Sequence, residues 1–279
     1  MADASFIPVI KTADDLRRTI RSLKDAGKKI GFVPTMGALH SGHMALVQEA
    51  KNHSDAVITS IFVNPTQFGP SEDFSRYPRT LEQDLDLLHQ QACDIAFVPD
   101  VNVIYPQGFS TYVEVEGLSA VLDGVHRPGH FRGVATVVAR LLNLVAADYA
   151  FFGEKDYQQL AIIKRMVRDL NLPIEIMAVS TAREADGLAL SSRNRDLTPE
   201  ERETAPALYR ALCMAREDLL KGRDIQPILE TYTSWLKDKG FEKIDYFALH
   251  DAQTLMPIQS GGDMANGRIF TAAWSAKHA

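Results

Sequence analysis

The sequence predicts an α/β fold, a parallel sheet covered by helices on both faces, followed by a smaller C-terminal α+β domain. Three observations predict it. Strand-like and helix-like segments alternate through the first two-thirds of the chain, as a parallel sheet with crossover helices requires. After the segment 183–196 that alternation gives way to a new helix start with its own capping signal. The length, 279 residues, suffices for one large domain and a smaller companion at about 100 to 200 residues per domain. The division is placed at 182/183, giving domains 1–182 and 183–279.

The elements follow in order. Thr12 can cap a helix whose Leu16, Ile20 and Leu23 share one face, and Gly27 can end it. Residues 30–33 read as a buried strand, 43–53 as a helix, and 57–63 as an apolar, β-rich run suited to a central parallel strand. Residues 80–91 and 95–98 repeat the helix-strand step. Val113 and Val115 alternate with polar neighbours, which predicts an extra exposed strand near residue 113. Residues 133–146, 149–152, 158–170 and 174–179 then read as helix, strand, helix and strand. The sheet would have about five parallel strands. In Thr198-Pro199-Glu200-Glu201 an N-cap, a proline at the first helical position and an acid at the third form a capping box. A long helix, a second near 228–239, and strands near 243–249 and 268–274 complete the smaller domain. No internal repeat or low-complexity tract is evident.

Composition excludes some functions. A net charge of −6 spread along the chain gives no basic face for polyanions. Nucleic acid and acidic membrane are therefore not expected as partners. The start Met1-Ala2-Asp3-Ala4-Ser5 lacks the positive, then apolar, pattern of a secretory signal. The longest apolar tract, 134–147, is interrupted by Arg140 and Asn143, is too short to span a bilayer, and reads as a core helix. Cys93 and Cys213 match no paired metal spacing and read as reduced, which fits a cytoplasmic location.

Four segments carry chemistry. The strand ending at Val33 runs into Pro34-Thr35-Met36-Gly37-Ala38-Leu39-His40-Ser41-Gly42-His43, and a helix follows. In open α/β sheets ligands bind beyond the carboxyl ends of strands, where a helix start offers backbone N–H groups to phosphate. The spacing Gly-x4-Gly matches a P-loop, but His43-Met44 stand where that motif needs Lys and then Ser or Thr, so a standard P-loop kinase is disfavoured. Two histidines three apart also suit a zinc pair, yet no third ligand is evident. A third reading has both rings merely cap or pack the helix start. Phosphate chemistry is the favoured reading of the three.

Gly153-Glu154-Lys155-Asp156-Tyr157-Gln158-Gln159 again leaves an apolar strand and opens a helix. Lysine supplies a point charge for phosphate and a neighbouring carboxylate can accept ribose hydroxyls. A charged turn is also commonly just solvated, and alone the motif leaves both readings open. In Asp186-Gly187-Leu188-Ala189-Leu190-Ser191-Ser192-Arg193-Asn194, hydroxyls and a guanidinium can close over a triphosphate. By itself this segment reads more readily as a polar linker with a capping serine. Phe62-Val63-Asn64-Pro65-Thr66-Gln67-Phe68-Gly69 holds an amide in an apolar frame, able to recognise a ligand without adding charge, or forms a simple Asn-Pro turn. Asp73, Glu82 and Asp84 are acids available to magnesium, or solvated helix acids.

Together with Tyr77-Pro78-Arg79-Thr80 and Arg127-Pro128-Gly129-His130-Phe131-Arg132-Gly133, these segments resemble the pantothenate synthetase family over nearly the whole chain, in the expected order. The His-x-Gly-His element alone marks only a nucleotidyltransferase superfamily. The resemblance implies a Rossmann-like nucleotide-binding domain, a smaller C-terminal lid, a homodimer, and the Mg²⁺- and ATP-dependent joining of pantoate to β-alanine. By that resemblance Met36, Gly37, Ala38, Leu39, His40, Ser41, Gly42, His43, Gly153, Glu154, Lys155, Asp156, Ala182, Leu190, Ser191, Ser192 and Arg193 bind ATP. Gln67 and Gln159 hold pantoate, with Pro34 and Met36 in its apolar surround, and His43 takes the position usually called the proton donor. His40, His43, Lys155 and Arg193 would stabilise the charge that grows on pyrophosphate.

Two departures stand out. Gln83 and Asp84 occupy the helix where some relatives carry an acidic pair, so only one acid, Asp84, stands there to match the magnesium contact that the resemblance implies. The chain stops at Lys277-His278-Ala279, short of the Arg-Leu-Ile-Asp-Asn-like tail expected of the family, and so reads as truncated. Two rivals remain. A nucleotidyltransferase acting on a phosphate or phosphorylated cofactor would keep the first motif without needing Gln67 and Gln159. A regulatory nucleotide-binding module would have lost catalysis, against which intact His43, Lys155 and Arg193 argue.

Overall fold

The structure is a computed structural model describing residues 6–69, 74–259, 262 and 264–274. By its contacts the chain forms two compact units, Met1–Ser119 with Arg127–Ala182, and Ala120–His126 with Arg183–Ala279.

The first unit is a doubly wound α/β layer. Its elements are β1 (Val9–Ile10), α1 (Ala13–Asp25), β2 (Ile30–Thr35), α2 (Ser41–His53), β3 (Ala56–Ile61), α3 (Leu81–Gln90), β4 (Ile95–Phe97) and α4 (Val101–Ile104). After α5 (Asp123–His126), which belongs to the second unit, come α6 (His130–Val145), β5 (Tyr149–Gly153), α7 (Tyr157–Asp169) and β6 (Glu175–Val179). The six strands lie in the order β1-β4-β3-β2-β5-β6, all parallel. From β2 the chain winds first toward β3 and later toward β5, so the order reverses between β2 and β5. A crevice at the carboxyl ends of these two strands is where such sheets bind ligands.

Local signals explain the elements. Thr12 Oγ1 accepts the Asp15 N–H at 3.1 Å and starts α1, which buries Leu16 and Ile20. β3 is buried along its whole length, as a central parallel strand must be. α6 is buried on most of its faces, and its C-terminus turns at Ala146 with φ 45°. Val33, Val47, Val57, Leu88, Ala96 and Phe151 form the core between the sheet and α2 and α3.

The second unit packs α8 (Pro199–Thr204), α9 (Ala207–Leu220) and α10 (Ile225–Asp238) with an antiparallel pair, β7 (Lys243–Asp251) and β8 (Gly267–Trp274). The predicted capping box is present: Thr198 Oγ1 accepts the Glu201 N–H at 3.3 Å and Glu201 Oε2 accepts the Thr198 N–H at 2.8 Å. Ala211, Ala215, Ile228, Leu236 and Phe247 form a separate core.

Three sequence expectations are corrected. The sheet has six strands, because Val9–Ile10 pairs with Ala96 and Phe97 at its edge. No strand forms near residue 113. There the Val113 N–H is met by the Thr136 hydroxyl at 3.0 Å, so a side chain of α6 replaces a partner strand. The single long helix after Thr198 is two helices, broken at Pro206, which has no N–H to continue the first.

Candidate active site

The loop from β2 to α2 is built on a buried carboxylate. Gly37 and Ala38 both take left-handed conformations, with φ 83° and 50°. This turns the N–H groups of Ala38 and Leu39 toward Asp84, whose two oxygens accept them at 3.0 and 2.8 Å. Thr80 Oγ1 donates to the same carboxylate at 3.1 Å. Asp84 is 1 % exposed. Left-handed backbone at Ala38 costs about 1 to 2 kcal/mol, less than two hydrogen bonds to a charged group at about 1.5 to 3 kcal/mol each. A side chain at Gly37 would lie 3.0 Å from Asp84 Oδ2 and 3.1 Å from Ile61. Asp84 was expected as a magnesium contact; in this structure its two oxygens hold the loop from behind. Ala38 and Leu39, expected at the nucleotide, have buried side chains and amides directed to this carboxylate.

Beyond the anchor the loop enters α2 through a pair of histidines. His40 is the N-cap, and its Nδ1 accepts the Gly42 N–H at 3.1 Å. His43 Nδ1 in turn accepts the His40 N–H at 3.3 Å, and the two ring centroids are 4.1 Å apart. An Nδ1 that accepts carries no proton, so in each neutral ring the proton sits on Nε2. Burial lowers the His43 pKa to about 3; His40 and Lys155 push the same way, against a raising effect of Asp156. His43 is thus a neutral imidazole with an Nε2–H to donate. Lys155 and Asp156 lie near enough for their charges to act on His43, so the motif after β5 stands beside the motif after β2. Adjacent pairing of β2 with β5 brings them together.

The amide segment forms a short 3₁₀ turn, Pro65–Gln67, capped by Asn64. Asn64 is 1 % exposed and fully satisfied. Its Oδ1 accepts from Tyr105 at 2.7 Å and from the Thr66 hydroxyl and amide, while its Nδ2 donates to Gln67 Oε1 at 3.0 Å and to the Gly133 carbonyl at 3.2 Å. With Gln67 Oε1 so engaged, its amide nitrogen points to Met36 Sδ at 3.1 Å. α6 closes on this turn because residue 133 has no side chain: a Cβ there would lie 2.3 Å from the Thr66 carbonyl oxygen.

The remaining expected residues fall as follows. Pro34 is the last residue but one of β2, half-buried, opposite Ser60. Ser41 and Gly42 form the first turn of α2. Gly153 closes β5, and Glu154, Lys155 and Asp156 form a 3₁₀ turn in which Lys155 and Asp156 are exposed and 3.4 Å apart. Gln159 lies in the first turn of α7, half-exposed. Ala182 is the last residue of the first unit. In the second unit, Leu190 and Ser191 lead into the 3₁₀ turn Ser192–Asp196, where the Ser191 hydroxyl accepts the Arg193 N–H at 3.3 Å. Arg193 is exposed and its guanidinium makes no ion pair among the described residues. Glu82 is exposed, and Asp73 and the chain end at Lys277-His278-Ala279 lie outside the described residues.

Sequence reasoning missed the supporting roles of Asp84, Asn64 and Gly133. A signal existed for the first: Asp84 shares a helical face with Leu81, Leu85 and Leu88, and a carboxylate on an apolar stripe needs a buried partner.

Comparison with known proteins bears on this arrangement. A family model described as Pantoate-beta-alanine ligase matches residues 8–278. The chain is 51 % identical to a pantothenate synthetase from Moorella thermoacetica, over 90 % of this chain and 89 % of that one. It is 50 % identical to one from Dinoroseobacter shibae, over 95 % and 94 %. Among solved structures, pantothenate synthetase from Thermus thermophilus superposes with a TM-score of 0.91 at 47 % identity, covering 98 % of this chain and 96 % of that one. Pantoate-beta-alanine ligase from Francisella tularensis, complexed with beta-gamma ATP and beta-alanine, gives 0.80 at 37 % identity, covering 97 % and 94 %.

Proposed function

The chain belongs to the pantoate-beta-alanine ligase family and is an ATP-dependent ligase, and we propose that it activates pantoate as an adenylate before β-alanine attacks. A carboxylate is a poor acyl electrophile, since its charge repels nucleophiles and oxide is a bad leaving group. Adenylation removes both obstacles. A carboxylate oxygen attacks the α-phosphorus in line and pyrophosphate leaves; the amine of β-alanine then attacks the acyl carbon, loses its proton, and AMP leaves. Positioning and charge stabilisation supply the rate in such a reaction.

The observation that carries this reading is the neutral, Nε2-protonated His43 at the point where the strand order reverses, beside Lys155. His43 then acts on the phosphates as a hydrogen-bond donor. A proton held at a pKa of about 3 would leave the ring near neutral pH, so the ring does not start the reaction as an imidazolium. His40, Lys155 and Arg193 add donors and charge, and the exposure of Arg193 supports its use on phosphate oxygens. In the acid pocket the Gln67 side-chain amide serves pantoate as a donor, since its Oε1 is taken by Asn64 and one N–H at most is used on Met36 Sδ. Gln159, Pro34 and Met36 complete that pocket.

Magnesium fits this chain as a companion of ATP rather than as an ion in a protein cage. Among the described residues no three His, Cys, Asp or Glu side chains cluster suitably, and both oxygens of Asp84 are engaged. Mg²⁺ characteristically keeps waters and binds substrate phosphates, where it would neutralise charge. The location is cytoplasmic in this reading, supported by two free cysteines; among the described residues no helix is long and apolar enough to cross a membrane. The homodimer is carried over from the family resemblance. A product assay with ATP, pantoate and β-alanine tests the reading: AMP and pyrophosphate are expected, and ADP would end it.

A further inference from the structure

The segment Ala120–His126 belongs by its contacts to the second unit, although the chain on both sides of it belongs to the first. Side-chain contacts to β7 hold this strap, among them the rings of His126 and Tyr246 with centroids 6.1 Å apart. Tyr246 donates its hydroxyl to Asp123 Oδ1 at 2.5 Å, and His126 Nδ1 lies 3.7 Å from Asp245 Oδ1. Asp245 is itself fixed, with Lys243 Nζ 2.7 Å away and the Trp274 indole donating to its other oxygen. Burial pushes its carboxyl up, and Lys243, Trp274 and His126 more than offset that, holding it below the usual range.

Each end of the strap is tied to the neighbourhood of one pocket glutamine. The strap follows Leu118, whose carbonyl accepts the Gln158 amide at 2.8 Å. Gln158 is 5 % exposed and directly precedes Gln159 on α7. The chain returns at Arg127, whose guanidinium lies 3.1 Å from His130 Nε2. Arginine can only donate, so Nε2 accepts and His130 Nδ1 carries the proton, which it donates to the Gln67 main-chain carbonyl at 2.8 Å. The two anchors are buried or half-buried side chains with assigned partners, not solvated loop contacts.

We infer that the strap is a coupling element, tying β7 of the second unit to the two glutamines of the acid pocket, with Tyr246 and Asp123 as positioning residues that act through it. The inference rests on the reading of Gln67 and Gln159 as pantoate ligands. Linkage makes it reciprocal: pantoate steadies the strap and β7, and a loosened strap weakens pantoate.

Hydrogen exchange on the full chain, with and without pantoate, tests this. Pantoate should protect the segments around Gln67 and Gln159, and also the strap and β7 around Tyr246. In Tyr246→Phe the protection of β7 should be lost and the pantoate KM should rise by about fivefold or more, the low end of ordinary coupling between sites, with the ATP KM unchanged. Asp123→Ala should match it, and Asp123→Asn, which keeps an acceptor for the hydroxyl, should behave like the parent. Protection at the glutamines without protection of the strap and β7 would overturn the coupling, as would equal rises in both KM values. Absence of protection at the glutamines themselves would remove the pocket assignment, and the coupling with it.

Discussion

His43 Nδ1 accepts the backbone N–H of His40 at 3.3 Å, while His40 Nδ1 accepts that of Gly42 at 3.1 Å, so the two residues cap one helix reciprocally. The cap fixes which nitrogen of His43 carries the proton, and burial keeps the ring neutral. Substituting His43 by Ala should lower the rate of adenylate formation by at least about 100-fold, the usual loss for one preorganised donor. Single-turnover measurement of pyrophosphate release checks this; normal turnover would favour a purely structural cap.

The same ring makes a pH prediction. Its folded-state pKa of about 3 lies below the ordinary 6.5, so below pH 6.5 the unfolded chain binds a proton that the folded ring refuses. Stability from this group is complete above about 6.5 and falls as pH drops toward 3, by up to about 1.4 kcal/mol per pH unit. Denaturant titrations between pH 7 and 4 should show a steeper loss for the parent than for His43→Ala. Equal slopes would contradict a ring held neutral in the folded chain.

Asp84→Ala should cost about 2 to 5 kcal/mol of stability, because two buried amides lose their acceptor. Asp84→Asn should cost less, since one carbonyl oxygen survives. In whichever variant stays folded, the magnesium concentration giving half-maximal rate should match the parent. A large shift in that concentration with stability unchanged would restore Asp84 as a metal contact.

Gly133→Ala reads the fit between α6 and the Asn64 turn. Alanine is the better helix former by about 0.8 to 1 kcal/mol, so open space at this position would make the change stabilising. Instead a Cβ would meet the Thr66 carbonyl oxygen at 2.3 Å, and backbone cannot rotate away. The turn carrying Gln67 must shift, and kcat/KM for pantoate should fall by about 100-fold, the scale of an ångström-sized misplacement, with ATP binding retained. A stable, fully active variant would show that the contact is not what positions Gln67.

The parts legible in the sequence were those encoded locally. Thr12 and Thr198 announce helix starts by residue type and spacing, and the run 57–63 announces a buried strand by its mostly apolar, β-branched composition. Val9–Ile10 is too short to carry a period and exists only because β4 offers an edge. Val113 and Val115 carry a strand's alternation, yet the Thr136 hydroxyl accepts the Val113 N–H that a partner strand would have paired. The site divides in the same way: His40, His43 and Lys155 sit in compact motifs, whereas Asp84 reaches Leu39 across 45 positions of sequence. The strap 120–126 offers no composition signal, since its membership of the second unit is decided by Tyr246, 123 positions away from Asp123.

The most direct test of the two-step scheme is exchange of labelled pyrophosphate into ATP. With ATP, magnesium and pantoate but no β-alanine, the adenylate forms and reverses, so label should enter ATP, and it should not do so when pantoate is omitted. Exchange that strictly requires β-alanine would contradict an acyl adenylate formed before the amine arrives.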